Sequence, residues 1–128
     1  MKKRGKIILV VDNDQIDLEL TREILKEEFD TFTATSGEEA LQLLKDQSFD
    51  LVITNLMMPK MDGFELLTII KKKYPKIRVI LVSATFGEPP EKKSYEKHAD
   101  ACLEKPLDIN KLINTVKRLF GESKGDGT

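Results

Sequence analysis

Polar side chains that could do chemistry stand directly after the short apolar runs of this sequence. They are Asp12, Asn13 and Asp14 after the first run, Asn55 after the second, Ser83 after the third and Lys105 after the fourth. Carboxylates can hold a hard cation such as Mg²⁺ or act as nucleophiles, but an amide nitrogen does neither because its lone pair is delocalised into the carbonyl. If the fold brings these ends together, two acids, two amides, a hydroxyl and an ammonium converge.

The apolar runs have the character of strands that are covered on both faces. They occupy residues 7 to 11, 51 to 53 and 79 to 82, with a weaker run at 101 to 103. Unbroken apolar runs are typical of the strands of a parallel sheet. Residues 31 to 35, Thr-Phe-Thr-Ala-Thr, alternate instead, which predicts a fifth strand at the edge of the sheet.

Segments with helical spacing separate the strands, so the chain is expected to form right-handed βαβ crossovers. Ser36, with Glu39 three residues later, predicts a capping box at the start of the second helix. Residues 89 to 97 offer only Tyr95 as an apolar anchor, which predicts a short and weakly docked fourth helix. Residues 71 to 73 are all lysine and predict a solvated helix end. In an open α/β sheet, the ligand crevice lies beyond the carboxyl ends of the strands.

Composition limits the remaining possibilities. A chain of 128 residues, 40% hydrophobic and 34% charged, is the size of one domain, expected over residues 1 to 120, with residues 121 to 128 as a flexible tail or linker stub. The formal charge of −1 gives no global reason to bind nucleic acid, and no segment has the length of a membrane helix. Cys102 is the lone cysteine, so the chain cannot form an internal disulfide and fits a reducing, cytoplasmic location.

Four motifs, in order, carry a resemblance to a known family. They are Val-Val-Asp-Asn-Asp at 10 to 14, Met-Met-Pro-Lys-Met-Asp-Gly-Phe-Glu-Leu at 57 to 66, Val-Ser-Ala at 82 to 84 and Leu-Glu-Lys-Pro at 103 to 106. Over residues 6 to about 120, the chain resembles a response-regulator receiver domain. The resemblance implies a single doubly wound (βα)5 sheet, flavodoxin-like and three-layered, with parallel strand order 2-1-3-4-5.

The resemblance also implies an altered reaction centre. In typical receivers, an aspartate after the third strand accepts a phosphoryl group, with Mg²⁺ held by that aspartate and an acidic pair after the first strand. Asn55 stands at the acceptor position, and Asp12 with Asn13 stands at the pair. An amide cannot replace the nucleophilic carboxylate, so no phosphorylation is expected there. No cofactor is expected either, and Mg²⁺ would bind only if Asp12 and Asp14 still form a competent pocket.

Other family positions are partly kept. Ser83 and Lys105 match residues that contact the phosphoryl group in relatives, and Pro106 suggests the family's cis peptide bond. Cys102 stands where relatives carry a switch aromatic, whose two packing states a thiol cannot reproduce. Structural roles are open for the same residues. Lys105 could pair with Asp12 or bridge to the Asn55 carbonyl, and Ser83 could cap a strand end. Asp14 could interact with a helix dipole.

These observations favour a two-component signalling module that acts by protein contact and is not an enzyme. Its expected partners are a histidine kinase, a phosphotransfer protein or an effector, held on the face formed by the fourth helix, fifth strand and fifth helix. One alternative is an ordinary receiver inactivated by an engineered Asp→Asn change at 55, which would not also explain Asn13, or one with a relocated acceptor. A flavin-binding or phosphatase enzyme on the same architecture is disfavoured because no Gly-rich phosphate loop follows a strand.

Overall fold

The computed structural model describes residues 5–121, in which five strands and five helices alternate strictly along the chain. The strands are β1 (Ile7–Val11), β2 (Asp30–Ala34), β3 (Leu51–Asn55), β4 (Arg78–Ser83) and β5 (Ala101–Glu104). The helices are α1 (Gln15–Leu25), α2 (Gly37–Asp46), α3 (Gly63–Lys73), α4 (Glu91–His98) and α5 (Ile109–Leu119). Apart from residue 121, the tail expected at 121 to 128 lies outside the described residues.

The strands form one parallel sheet in the order β2-β1-β3-β4-β5, which confirms the predicted topology. The order reverses at β1, where β2 lies on one side and β3 on the other. Each crossover carries a helix, so both faces of the sheet are covered and the layers are helix, sheet and helix. This is the flavodoxin-like arrangement, and it directs the carboxyl ends of all five strands to one edge.

Alternate side chains of the central strands fill two separate cores. Leu9 of β1 packs on the α2 and α3 side with Leu67, whereas Ile8 packs on the α1 and α5 side with Leu112. All four of these side chains are essentially inaccessible to solvent. The central strands bury both faces, which explains why their sequences are unbroken apolar runs.

Strand β2 lies at the edge of the sheet, as its alternating sequence predicts, but ends one residue earlier than expected. Thr35 leaves the strand because its N–H and Oγ1 donate to the Glu39 carboxylate, at 2.7 and 3.0 Å. Ser36 does cap α2, since its Oγ accepts from the Glu39 N–H at 3.1 Å. The predicted capping box is therefore wrong in one detail, because Glu39 reaches back to Thr35 rather than to Ser36.

Helix α4 buries none of its residues, which agrees with the expectation of a short and weakly docked helix. Its anchor is the half-buried Tyr95, whose ring centroid lies 5.3 Å from that of Phe64 and 6.0 Å from that of Phe86. No side chain caps the start of the helix, where Pro90 occupies the cap position. Helix α4 thus depends on aromatic contacts rather than on a core-facing stripe.

The lysines at the end of α3 are not all solvated, so that prediction is wrong for Lys71. Its Nζ donates to Asp100 Oδ2 at 2.7 Å and to the Ile77 carbonyl at 2.9 Å. Burial acts to raise the pKa of Asp100, but hydrogen bonds from Lys71 and from the Val79 N–H outweigh it, and the pKa is lowered.

Within residues 5–121, no helix combines the length and apolar character needed to cross a membrane.

Candidate functional site

The predicted polar residues meet at the carboxyl edge of the sheet. Asp12 follows β1, Asn55 ends β3, Ser83 ends β4 and Lys105 follows β5. Asp12, Asn55 and Ser83 are at most 9% exposed, although most buried positions of the described chain are apolar. Because buried polar groups need hydrogen-bond partners, the contacts of each one show what this edge can do.

Asn55 uses both hydrogens of its amide. Its Nδ2 donates to Asn13 Oδ1 at 3.0 Å and to the Met57 carbonyl at 2.9 Å. The reverse amide orientation would set Asn55 Oδ1 against the Met57 carbonyl oxygen, and two acceptors repel each other. The Asn55 Nδ2 group, and not Oδ1, therefore faces the Met57 carbonyl. The side chains of Asn13 and Asn55 are therefore hydrogen-bonded to each other, and the neutral Asn55 amide faces two oxygen acceptors.

Lys105 is held between two carboxylates. Its Nζ lies 3.0 Å from Asp12 Oδ2 and 2.8 Å from Asp17 Oδ2. Burial acts to lower the pKa of Lys105, but hydrogen bonds to Asp17 and Asp12 outweigh it, and the pKa is raised. Of the two structural partners weighed for Lys105, the ion pair with Asp12 is the one observed.

Asp17 is the functional residue that sequence reasoning missed. It lies in the first turn of α1, three residues after the cap residue Asp14, whose Oδ1 accepts from the Asp17 N–H at 3.1 Å. Its carboxylate reaches a lysine 88 residues away in the chain. An acid in a first helical turn is ordinarily explained by the helix dipole, so only its contact with Lys105, in the segment that follows β5, shows the second role.

Asp14 makes hydrogen bonds with the backbone of the first turn of α1 and with Asp12. Its carboxylate caps α1, and its own N–H donates to Asp12 Oδ1 at 2.9 Å. Asp14 is exposed, whereas Asp12 is buried. At the end of β1, the buried Asp12 carboxylate thus accepts two hydrogen bonds. One comes from the Asp14 backbone N–H and the other from the Lys105 side chain.

Ser83 ends β4 and Pro106 follows β5, whereas Cys102 lies within β5 and packs against the core on the α2 and α3 side. The roles assigned to these three residues stay predictions. Ser83 Oγ donates to the Thr85 carbonyl at 2.6 Å and accepts from the Thr85 N–H at 3.3 Å. Burial, and to a smaller extent the nearby Glu96 charge, raises the pKa of the Cys102 thiol to about 11, so the thiol is uncharged near neutral pH. The peptide bond between Lys105 and Pro106 is cis.

The oxygens present do not fit a Mg²⁺ site. Among residues 5–121, no group of three or more His, Cys, Asp or Glu side chains is placed to hold a metal. Asp12 Oδ2 faces an ammonium, and Asn13 Oδ1 and the Met57 carbonyl are occupied by the Asn55 amide. A hard cation needs several free oxygens, with carboxylate charge among them, and these oxygens already accept hydrogen bonds from an ammonium and an amide.

Comparisons with known protein families and sequences agree with one another. The sequence model of the response regulator receiver domain family matches residues 8–117 of this chain. The heme response regulator HssR of Staphylococcus aureus is 34% identical over 113 residues, which is 88% of this chain and 50% of that protein. The probable transcriptional regulator ycf29 of Pyropia yezoensis is 34% identical over 116 residues, 88% of this chain and 52% of that protein. The chain spans about half the length of the curated relatives it matches.

Solved structures agree with this result. The signal receiver domain of an HD domain-containing protein from Pseudomonas fluorescens aligns with a TM-score of 0.85 at 27% identity, covering 92% of this chain and 96% of that one. The response regulator TrrA of Thermotoga maritima, crystallised in complex with Mg²⁺ and BeF, aligns with a TM-score of 0.79 at 33% identity, covering 89% and 98%. With its parallel sheet, its polar carboxyl edge and these matches, the chain belongs to the response-regulator receiver family of two-component signalling.

Proposed function

We propose that this chain is a receiver-type signalling module that works by protein contact, without an aspartyl-phosphate cycle and without Mg²⁺. One observation carries the proposal. Asn55, at the end of β3, stands at the acceptor position, and its amide donates one hydrogen bond to Asn13 and one to the Met57 carbonyl. An acyl phosphate requires a carboxylate oxygen as nucleophile, and the amide offers none.

The pairing of the two amides supports natural divergence over a single engineered change. Asn13 Oδ1 accepts from Asn55 Nδ2, so the substitution at one position provides the acceptor for the other. With carboxylates at both positions, like charges would crowd this edge and need a cation between them. With amides, the edge closes through neutral hydrogen bonds and needs no metal.

Lys105 points to the same conclusion. In an active receiver, the resemblance implies that this lysine contacts the phosphoryl group. Here its ammonium is bound on two sides, by Asp12 and by Asp17, and it is only 19% exposed. Drawing it toward a phosphoryl group would break two charged hydrogen bonds in a partly buried place. We infer that Lys105 ties α1 to the end of β5.

The expected protein partner is a histidine kinase, a phosphotransfer protein or an effector, bound on the face of α4, β5 and α5. Support comes from a groove of about 390 Å³ in this face, whose lining includes Phe86 and the half-buried Cys102. The lining carries both charge signs, with Lys92 and Glu96 from α4 and Lys111 from α5. Protein interfaces commonly combine a few apolar side chains with a polar, charged surround of this kind.

A phosphoryl mimic tests this proposal without a known partner. The ¹H–¹⁵N spectrum of the chain is recorded before and after addition of MgCl₂ with beryllofluoride. We expect no chemical-shift change at residues 12–14, 55–57, 83 or 105. The double variant N13D/N55D is the matched control, because it returns both carboxylates, and it is expected to respond. A saturable response of the unmodified chain at these residues contradicts the proposal.

A further inference from the structure

A groove of about 470 Å³ separates α1 from the segment that follows β5. Its floor consists of Val10, Ile53 and Val82, which belong to three adjacent strands of the sheet and are at most 3% exposed. Its walls are the apolar side of α1 and residues 106, 107 and 109. The groove thus reaches from the surface to the sheet, and its volume and apolar lining are those of small-molecule sites.

The rim of this groove leaves large apolar side chains in water. Leu20 on α1 is 58% exposed and Ile109 at the start of α5 is 59% exposed, on opposite sides of the opening. Ile16, one helical turn before Leu20, does not line the groove but is also 72% exposed. An occupant that bridges the two walls would remove this surface from water, which is the main source of affinity for an apolar ligand.

The charges at the groove select the kind of ligand. Its lining includes the carboxylates of Asp12, Asp17 and Glu23 but a single ammonium, that of Lys105. Glu23 is paired with Lys26 at the outer rim, so the excess negative charge lies at the inner end. Three of the four carboxylate oxygens there accept hydrogen bonds, and Asp17 Oδ1 accepts none from any described residue.

We propose that this groove binds small amphiphilic cations, with the apolar body between Leu20 and Ile109 and an ammonium group donating to Asp17. The inner end attracts a positive head group, and the floor and walls receive a hydrocarbon chain. This site is independent of the protein-contact function proposed above.

Three probes with the same hydrocarbon chain and different head groups test the assignment: octylamine, octanol and octanoate. Each is titrated below its micellar range into the ¹⁵N-labelled chain, with shifts followed on α1 and residues 105–109. We expect saturable binding of octylamine. Octanol should bind about fivefold more weakly, because it lacks the ammonium and loses one partly exposed ion pair, and octanoate should bind more weakly still.

Variants separate the two parts of the site. D17N should remove the preference for octylamine over octanol, and L20S should weaken both probes together. E19Q is the matched control, because Glu19 is an exposed acid of the same helix that does not line the groove, and it should leave both affinities unchanged. The proposal is overturned if no probe saturates, if shifts map elsewhere, or if octanoate binds as tightly as octylamine. It is also overturned if E19Q acts like D17N.

Discussion

Replacing Asn55 with aspartate should destabilise the chain in the absence of metal. The new carboxylate has no N–H, so the Met57 carbonyl loses its donor and faces an anionic oxygen. The exposed Asn13 can turn its own amide to donate, so one contact is repaired and one is not. An unsatisfied buried group that faces a charge costs about 2–3 kcal/mol. For a domain of this size, that lowers the melting temperature by about 10 °C.

The cost should depend on pH and on Mg²⁺. Burial and the facing acceptors raise the pKa of an aspartate at 55 above its ordinary value of about 4. The variant is therefore close to the parent in stability at pH below that ordinary value, and its deficit grows as pH rises through the folded-state pKa. Mg²⁺ at about ten times its dissociation constant would restore about 1.4 kcal/mol to the variant and none to the parent.

Thermal unfolding followed by circular dichroism, with EDTA or with MgCl₂, measures these effects. The matched control is N114D, which adds the same charge at an exposed residue of α5 and should change stability by less than about 0.5 kcal/mol. If N55D in EDTA is as stable as the parent at pH 7.5, the hydrogen bonds of the Asn55 amide stabilise nothing. If the parent gains stability from Mg²⁺, the account of a metal-independent edge is wrong.

Three further substitutions or modifications follow from the structure. G63A should cost about 2–4 kcal/mol in urea unfolding, because a Cβ there would lie 2.3 Å from the Asn55 carbonyl oxygen; in the control G37A the nearest atom is the movable Met61 sulfur at 2.6 Å, so equal losses would refute the argument. D100N should cost about 1–2 kcal/mol at pH 7. Because the pKa of Asp100 is lowered in the fold, that contribution is present above the ordinary carboxylate pKa and fades as pH falls below it, so an undiminished difference at pH 3 would refute it. Cys102, with a pKa of about 11, should react with iodoacetamide at pH 8 far more slowly than the urea-unfolded chain does, and equal rates would show that the thiol is freely exposed.

Local sequence patterns were enough to predict a five-stranded parallel sheet and the edge that carries the polar residues, whereas the strand order 2-1-3-4-5 was implied by the family resemblance. Central strands such as β3 bury both faces, so their apolar runs are visible without any knowledge of tertiary contacts. Asp12, Asn55, Ser83 and Lys105 end up at one edge because parallel strands share a direction. The types of the side chains at these strand ends therefore indicated the chemistry of the site before the distances between them were known.

Long-range side-chain choices could not be predicted in the same way. Nothing local distinguishes Asp17, which binds Lys105, from an acid that only complements a helix dipole. Lys71 belongs to a run of three lysines, and it becomes partly buried because its ammonium pairs with Asp100, 29 residues later in the chain. The Glu39 carboxylate accepts hydrogen bonds from Thr35 rather than from the Ser36 N–H, and the sequence pattern alone does not distinguish these two partners. Each of these outcomes depends on how two elements pack, which a single sequence does not encode locally.

Intact mass spectrometry of the unmodified chain after incubation with acetyl phosphate and MgCl₂ shows whether any side chain accepts a phosphoryl group. The mass should stay that of the unmodified protein, while N13D/N55D should acquire a base-labile phosphoryl group. A phosphoryl increment on the unmodified chain, whether mapped to residue 55 or to another side chain of this edge, would contradict the claim that the module signals by contact alone.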